Sequence, residues 1–331
     1  MWLCRIPPPL EAPLLVTVID WLLDSDPAIR WQVMRDLTDA PPDEVASERT
    51  KIGKEGWGAE LLARQRPEGQ WGGERDAWVG GIEWTCLMTL MWLREMGLDP
   101  QSAEAQRAVT LVRDNVTWQW WDNNPFFVGE VEPCINGRVA AIGAYFGQDS
   151  RRVVDRLLGE QMADGGWNCE QENGATVGSF HSTINVLEGL LEHERATGGS
   201  GELKAAQLRG QEYLLERRMF RRLSTGETVD RAFTRLSFPT SYHYDVLRGL
   251  DYLRAAHAEP DERVGEAISL IESRRDADGR WPLENPHPDL LDIEMNEHEG
   301  EPSRWNTLRA LRVLRWAESA GRSPVRSAAS V

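Results

Sequence analysis

The sequence predicts an all-α protein, an (α/α)6 toroid in which six helical hairpins surround a central cavity. Three observations predict it: a tryptophan motif that recurs along the chain, six strongly apolar helical segments, and more polar amphipathic segments between them. No segment shows the alternation of apolar and polar residues that is typical of a half-buried strand. An open helical solenoid is the alternative, and the closed ring is favoured because a closed array needs no end caps.

The recurring motif consists of a glutamine or arginine, a glycine four residues later and a tryptophan two residues after the glycine. Its tryptophans are Trp71, Trp167 and Trp281, in the segments RQRPEGQWGG, EQMADGGWNC and RRDADGRWPL. The motifs are separated by about two repeats of roughly 50 residues each, a spacing typical of repeat proteins. Each motif therefore predicts a loop from an outer helix to the next inner helix, with the indole N–H bonded to a loop carbonyl.

The apolar segments predict the inner wall of the toroid. They begin at Asp26, Gly81, Glu132, Gly178, Thr240 and Glu301. A helix that is apolar on most faces must be covered on most faces, so these six are expected to face one another and the outer helices. The predicted outer helices include SAEAQRAVTLVRDN, RRVVDRLLGEQM, GELKAAQLRGQEYLLERR and RVGEAISLIESRR, which carry apolar residues at helical spacing. We expect one domain over residues 1–320 and a fraying tail over residues 321–331.

The composition is that of a globular protein with excess negative charge. Its 331 residues include 37 lysines and arginines and 53 aspartates and glutamates, which gives a formal net charge of −16. Nucleic acids and anionic membrane surfaces require clustered positive charge, so neither is expected as the main partner. Tryptophan is unusually frequent, with 15 residues against 7 phenylalanines and 5 tyrosines. This excess favours aromatic packing between repeats and an aromatic lining of the cavity.

The N-terminal segment lacks the basic region and the cleavage site of a signal peptide, and its apolar stretch is too short to span a bilayer. The cysteines, Cys4, Cys86, Cys134 and Cys169, lie far apart in the chain. Such spacing indicates free thiols or metal ligands in a reducing compartment rather than a disulfide framework. A cytoplasmic protein is expected, and the sequence leaves homo-oligomerisation open.

Polar side chains concentrate at the predicted starts of the inner helices, which a ring would bring to one rim. The candidate catalytic residues are His181, His243, Asp245 and Glu83. An imidazole can exchange protons near neutral pH, and burial raises the pKa of a carboxyl group toward that range. These residues therefore predict acid–base chemistry at the rim.

Two thiols and two imidazoles from consecutive repeats predict a metal site at the same rim. The candidate ligands are Cys134, Cys169, His181 and His243, a donor set that suits tetrahedral zinc. Two other interpretations stay open. One is a polar site without a metal, and the other is a purely structural role, since free cysteine is commonly a small buried residue.

Five aromatic residues lie near the same openings and are the candidate substrate-binding residues. They are Trp31, Trp84, Tyr242, Tyr244 and Trp305. Their ring faces would bind a hydrophobic molecule and stabilise a carbocation by on the order of 0.5–2 kcal/mol each. Core packing is the alternative for any one of them. Two long irregular segments, residues 221–240 and the acidic residues 282–303, predict either lids over the cavity or solvated surface loops.

The motifs QRPEGQWGG and QMADGGWNC resemble the Gln–Trp repeats of squalene–hopene cyclase and oxidosqualene cyclase. The segment GSFHSTINVLEGL resembles the inner helix of protein prenyltransferase β subunits that begins with a zinc-binding histidine, which His181 would match. The resemblance covers residues 21–317 and implies the α/α toroid of this superfamily. The Asp-x-Asp-Asp acid of the cyclases has no counterpart at an inner-helix opening of this chain.

The resemblance further implies an enzyme that acts on a hydrophobic, isoprenoid small molecule. Cyclisation, isomerisation, hydration or dehydration, and prenyl transfer are the implied reaction classes, with zinc as the implied cofactor. The alternative is a non-catalytic toroid that binds a lipid or a partner protein, because fold alone does not fix function.

Overall fold

Helices form almost all of the regular structure in the computed structural model, which describes residues 12–72, 81–256, 258–287 and 293–320. The α-helices in these ranges are α1 Ala12–Leu23, α2 Pro27–Leu37, α3 Pro42–Arg49, α4 Gly56–Ala63, α5 Ile82–Met96, α6 Ala103–Asn115, α7 Pro133–Tyr145, α8 Arg151–Gly159, α9 Phe180–Thr197, α10 Gly201–Glu216, α11 Val246–Ala255, α12 Gly265–Ser273 and α13 Arg304–Ala320. The predicted all-α class is confirmed. The predicted tail, residues 321–331, and Cys4 lie outside the described residues.

The strands in the described ranges form two short antiparallel pairs. They are β1 Thr117–Trp118 with β2 Asn124–Pro125, and β3 Trp281–Pro282 with β4 Pro302–Ser303. Each strand has two residues, so the ladders fix loops and add no sheet layer. None of the described helices is both long enough and apolar enough to cross a membrane.

Six helices, α2, α5, α7, α9, α11 and α13, form the inner ring, and they arise from the six apolar segments of the sequence. The ring closes between its first and last members, since Arg312 of α13 donates to Gln32 Oε1 at 2.8 Å and pairs with Asp36 at 2.5 Å. The N-terminal helix α1 packs beside α2 and contacts the start of α13, where Arg304 Nε donates to the Trp21 carbonyl at 3.4 Å. Residues from opposite ends of the chain therefore close the array, as the toroid requires.

The first outer segment is divided into α3 and α4, whereas α6, α8, α10 and α12 are each continuous. The chain turns at Gly56, which has a φ of 70°. A side chain there would meet the carboxylate of Asp26, which accepts a hydrogen bond from the Trp57 amide at 2.8 Å. The glycine thus permits a turn that ties the outer layer to the start of α2.

The three tryptophan motifs form the same contact in three places. Each buried indole donates its Nε1–H to a carbonyl ten residues earlier, near the end of the preceding outer helix. The pairs are Trp71 with Leu61, Trp167 with Leu157 and Trp281 with Ile271, at 2.7, 2.7 and 2.6 Å. The predicted acceptor was a loop carbonyl, and that detail is wrong, because each indole reaches back past its own loop into the helix. The motif glutamine bonds forward, and Gln161 Nε2 donates to the Ala206 carbonyl of α10 at 2.8 Å.

Replacing Trp167 with phenylalanine should lower the free energy of unfolding by about 1–3 kcal/mol, because the buried Leu157 carbonyl loses its indole donor. Trp120→Phe is the matched control, since the Trp120 side chain is 83% exposed. Urea denaturation of both variants measures the difference. Equal losses at the two positions would contradict a structural role for the motif.

Helices α7 and α9 pack with their backbones in contact. A Cβ added to Gly137 would lie 2.4 Å from the Asn185 carbonyl oxygen, and one added to Gly189 would lie 2.2 Å from the Gly137 carbonyl oxygen. Tyr145, at the C-terminal end of α7, is the residue of this helix that lines the central cavity.

The two long irregular segments pack on each other. The Glu284 amide donates to the Leu236 carbonyl at 2.9 Å, and the Leu236 amide donates to Glu284 Oε2 at 2.9 Å. Farther along the acidic segment, the Glu297 carboxylate accepts hydrogen bonds from Ser303 Oγ and the Arg304 amide at 2.7 and 2.8 Å. One acid of this segment thus caps α13. Residues 288–292 lie outside the described ranges, and the predicted lid function stays a prediction.

Candidate functional site

The inner helices surround a cavity of about 280 Å³. It is lined mainly by the middle and C-terminal parts of these helices, whereas the sequence analysis placed the cavity mouth at their first turns. Eight arginines line it: Arg35, Arg49, Arg94, Arg195, Arg248, Arg254, Arg309 and Arg312. Four acids line it: Glu95, Glu188, Glu192 and Asp251. Because guanidinium groups outnumber carboxylates two to one, the cavity attracts anions despite the negative charge of the whole chain.

Most of these arginines are held by ion pairs in the cavity wall. Arg94 pairs with Glu192 at 2.5 Å, and Arg248 pairs with Glu188 at 2.6 Å. Arg309 is much less compensated, since its nearest carboxylate oxygen in the described residues, on Asp251, is 3.9 Å away. The charge of Arg309 is therefore available to a ligand in the cavity.

Glu95 is the acid of the cavity that lacks a close partner. Its carboxylate has no hydrogen bond or ion pair within the described part of the chain. Burial raises the pKa of Glu95; the Arg309 guanidinium opposes this shift, and the Glu188 carboxylate adds to it. A half-buried carboxyl group with a raised pKa in a cleft is a candidate proton donor.

Sequence reasoning missed Glu95 because the search covered the first turns of the inner helices, and Glu95 lies in the last turn of α5. One signal was present in the sequence. The predicted inner helices carry charged residues such as Arg94, Glu188 and Arg309 on otherwise apolar segments, and such charges face a polar interior when their helix is enclosed.

Two of the five predicted substrate-binding residues line the central cavity. Trp31 and Trp305 line the cavity. Trp31 donates its Nε1–H to the Met96 carbonyl at 2.7 Å, and Trp305 stacks on Phe238 with ring centroids 4.7 Å apart. Both rings are thus fixed in place at the cavity wall.

The other three predicted aromatic residues do not line the cavity. Trp84 and Tyr242 contact each other edge to face, with centroids 6.0 Å apart. Tyr244 is buried and donates its hydroxyl hydrogen to the Met219 carbonyl at 2.6 Å. Tyr244 therefore has a packing role in this structure.

The predicted histidines form a cluster at the N-terminal rim of the inner helices. The His181 and His243 rings have centroids 5.6 Å apart, and His287, which sequence reasoning missed, stacks on His243 at 4.2 Å. Burial, helped by the neighbouring His287 and His181, lowers the pKa of His243 to about 4. Burial also lowers the pKa of His181, whose Nδ1 accepts a hydrogen bond from the Tyr244 amide at 2.8 Å.

The two predicted catalytic carboxylates also lie away from the cavity. Asp245 is fully buried and accepts hydrogen bonds from the Ser237 and Arg248 amides at 3.0 and 2.8 Å, so it caps α11. Glu83 is buried in the first turn of α5. None of the four predicted catalytic residues is among those that line the central cavity in the described ranges.

The histidine cluster predicts a loss of stability on acidification. The pKa of His243 is about 4 in the folded chain against 6.5 normally, so the unfolded chain binds more protons between these values. The free energy of unfolding should therefore decrease as the pH drops through this window. In His243→Gln this decrease should be smaller by on the order of 1 kcal/mol, after allowance for solvent screening. Urea denaturation at about pH 7.5 and about pH 5 measures it. His298→Gln, at an exposed position, is the control; an equal change in both variants would contradict the prediction.

The predicted zinc ligands do not come together as one set of four. The Sγ atoms of Cys134 and Cys169 are 2.7 Å apart, and Glu132 joins them in a group whose ligand atoms all lie within 4.8 Å of one another. In the described residues no histidine belongs to this group. Two thiolates bound to one tetrahedral zinc are separated by about 3.8 Å, given Zn–S bonds of about 2.3 Å. The donor atoms suit zinc in type, but their arrangement does not fit a tetrahedral site.

Comparisons with known proteins give a distant similarity in structure and none in sequence. No family model and no curated protein matches the chain. Two solved structures of the type II terpene cyclase MstE from Scytonema, both variants in complex with geranylgeranyl dihydroxybenzoate (substrate), are similar to it. One has 17% identity and a TM-score of 0.44 over 93% of this chain and 97% of that chain; the other has 15% identity and a TM-score of 0.44 over 94% and 97%. Similarity at this level assigns neither an activity nor a substrate to the present chain.

Proposed function

We propose that the chain is an enzyme that binds an isoprenoid with an anionic head group in the central cavity and acts on it by proton transfer from Glu95. The observation that carries this proposal is the half-buried Glu95 carboxyl group, which lines a cavity rich in guanidinium groups and has no hydrogen-bond or ion-pair partner among the described residues. Its isoprenoid part is supported by the resemblance of the tryptophan motifs, and its anionic part by the arginines of the cavity.

The lining of the cavity supports an amphipathic ligand. Arg309 offers a weakly compensated charge to an anionic head, while Trp31, Met91 and Trp305 offer apolar surface to a hydrocarbon chain. A volume of about 280 Å³ lies near the lower end of the roughly 300–1,000 Å³ that small-molecule pockets span. This size favours a short isoprenoid over a long one.

Proton transfer from Glu95 would start a cyclisation or isomerisation. The carboxyl O–H bond breaks, a new C–H bond forms at an alkene carbon, and the adjacent carbon becomes cationic. The Trp31 ring already carries the Arg35 guanidinium 4.4 Å from its centroid, and Trp305 stacks on both Phe238 and Trp57, so the cation would be stabilised mainly by the Glu95 carboxylate that forms with it. Loss of a proton from a neighbouring carbon to the Glu95 carboxylate restores the acid, so the reaction needs no other reactant.

Binding and turnover of geranyl diphosphate test the proposal. We expect titration calorimetry to detect binding, gas chromatography with mass spectrometry to detect a hydrocarbon-rearranged product, and geraniol to bind more weakly because it lacks the anionic head. Arg309→Met should weaken binding about tenfold or more, as expected for loss of a charge-assisted contact in a desolvated site.

Arg152→Met is the matched control, because Arg152 is exposed and lies outside the central cavity. Binding of geranyl diphosphate that is equally strong in the wild type and both variants would contradict the proposed site. Specific binding without any product would favour the alternative, a non-catalytic toroid that holds the same class of molecule.

A further inference from the structure

The close pair of thiols at the N-terminal rim has no part in the proposed reaction. Cys134 is the second residue of α7, and Cys169 follows Trp167 in the loop that leads to α9. The Cys169 side chain is partly buried, so a small reagent can reach it, whereas Cys86 is fully buried.

Backbone hydrogen bonds and helix packing hold both cysteines in place. The Trp167 amide donates to Thr183 Oγ1 at 3.0 Å, and the Cys169 amide donates to Ser182 Oγ at 3.1 Å, so the loop is bound to the first turn of α9. The backbone contact between α7 and α9 at Gly137 brings the first turn of α7 alongside. Helix packing thus places the two cysteines side by side, and their Sγ atoms are 2.7 Å apart.

This distance favours a disulfide over a shared metal. A disulfide bond is about 2.05 Å long, so the sulfurs would move together by about 0.65 Å to form one. To bind one tetrahedral zinc they would have to separate by about 1.1 Å, given Zn–S bonds of about 2.3 Å. The histidines that would complete a zinc site also lie outside the group.

The surroundings of the pair favour one thiolate. The two Sγ atoms are in direct contact, so the S–H group of one thiol can stabilise negative charge on the other. Cys169 Sγ also lies 3.2 Å from Ser182 Oγ, and the Arg138 guanidinium attracts negative charge on Cys134. Arg138 is buried, and its Nη2 has no hydrogen-bond partner in the described part of the chain. Against these, the Glu132 carboxylate lies 3.5 Å from Cys134 Sγ and repels a thiolate there.

We propose that Cys134 and Cys169 form a redox-active dithiol, which a low-molecular-weight disulfide converts to an intramolecular disulfide. The Cys169 thiolate attacks one sulfur of the external disulfide and releases one thiolate. Cys134 then loses its proton to solvent and attacks Cys169 Sγ, which releases the second thiolate. Two protein thiols are oxidised and one external disulfide is reduced to two thiols, so the exchange is balanced.

The cross-link would join the start of α7 to the loop before α9, across 35 residues of chain. Closing a loop of this length restricts the unfolded chain, so the oxidised protein should unfold at a temperature about 5 °C higher than the reduced one.

Equilibration of the full chain in mixtures of reduced and oxidised glutathione tests the proposal. The chain carries Cys4→Ser in every arm, because Cys4 lies outside the described residues. After an acid quench and alkylation, mass spectrometry should show a species lighter by two hydrogen atoms, with a peptide cross-link between Cys134 and Cys169. Cys134→Ser and Cys169→Ser should each give one glutathione adduct on the remaining thiol, and Cys86→Ser should behave like the parent.

Two outcomes would overturn the proposal. One is the accumulation of glutathione adducts on the parent chain without the intramolecular cross-link. The other is stoichiometric zinc, measured on protein purified without a metal-affinity step, that protects both thiols from oxidised glutathione, since the pair would then be a metal site. Both readouts are independent of turnover in the central cavity, so they do not depend on the function proposed above.

Discussion

Replacing Gly189 with alanine should lower the free energy of unfolding by about 3 kcal/mol, the upper part of the usual range for inserting a methyl group into a packed interior. The new Cβ would lie 2.2 Å from the Gly137 carbonyl oxygen, so α7 and α9 must separate. Both partners in the clash are helix backbone, and no flexible side chain can move aside to relieve it. Guanidinium chloride denaturation measures the change.

Gly143→Ala is the matched control for this prediction. Gly143 lies in α7, and the nearest atom to an added Cβ is Ser150 Cβ at 3.4 Å, an ordinary contact. Alanine is favoured over glycine in a helix by about 1 kcal/mol, so this variant should be neutral or slightly more stable than the wild type. A Gly189→Ala variant as stable as Gly143→Ala would show that α7 and α9 do not pack through their backbones.

Glu95→Gln should reduce turnover by about 100-fold or more while leaving the binding of geranyl diphosphate nearly unchanged, if Glu95 is the proton donor of the proposed reaction. The amide has the shape of the protonated carboxyl group, so it preserves the cavity but has no proton of suitable acidity to transfer. Steady-state kinetics with product detection, together with titration calorimetry, separates the two effects. Because burial raises the pKa of Glu95, wild-type activity should be highest at low pH and fall as the pH rises through that raised pKa.

Glu202→Gln provides the control, since Glu202 is exposed in the first turn of α10, outside the central cavity. Loss of binding together with turnover in Glu95→Gln would indicate that Glu95 organises the arginines and is not the proton donor. Unchanged turnover in Glu95→Gln would assign the chemistry to another residue, and the histidine cluster at the rim would be the next candidate.

The helical class and the order of the elements could be predicted from the amino-acid sequence alone. Hydrophobic spacing of 3.6 residues is a local property, so the six inner helices could be located without knowledge of their neighbours. The tryptophan motif likewise identified its three loops, because each motif is complete within one short segment, as Trp167 and its acceptor Leu157 illustrate.

Which side chains share a site depends on how the helices pack, and the sequence could not predict it. Arg312 reaches Gln32 and closes the ring only because of how far each helix is shifted along its neighbours. The same shifts place Cys134 in a group that does not include His181. That displacement is set by packing between residues far apart in the chain, such as Gly137 against Asn185. Periodicity specifies which face of a helix is buried but carries no information on its height in the ring, so Glu95 could be placed in the cavity only by the folded chain.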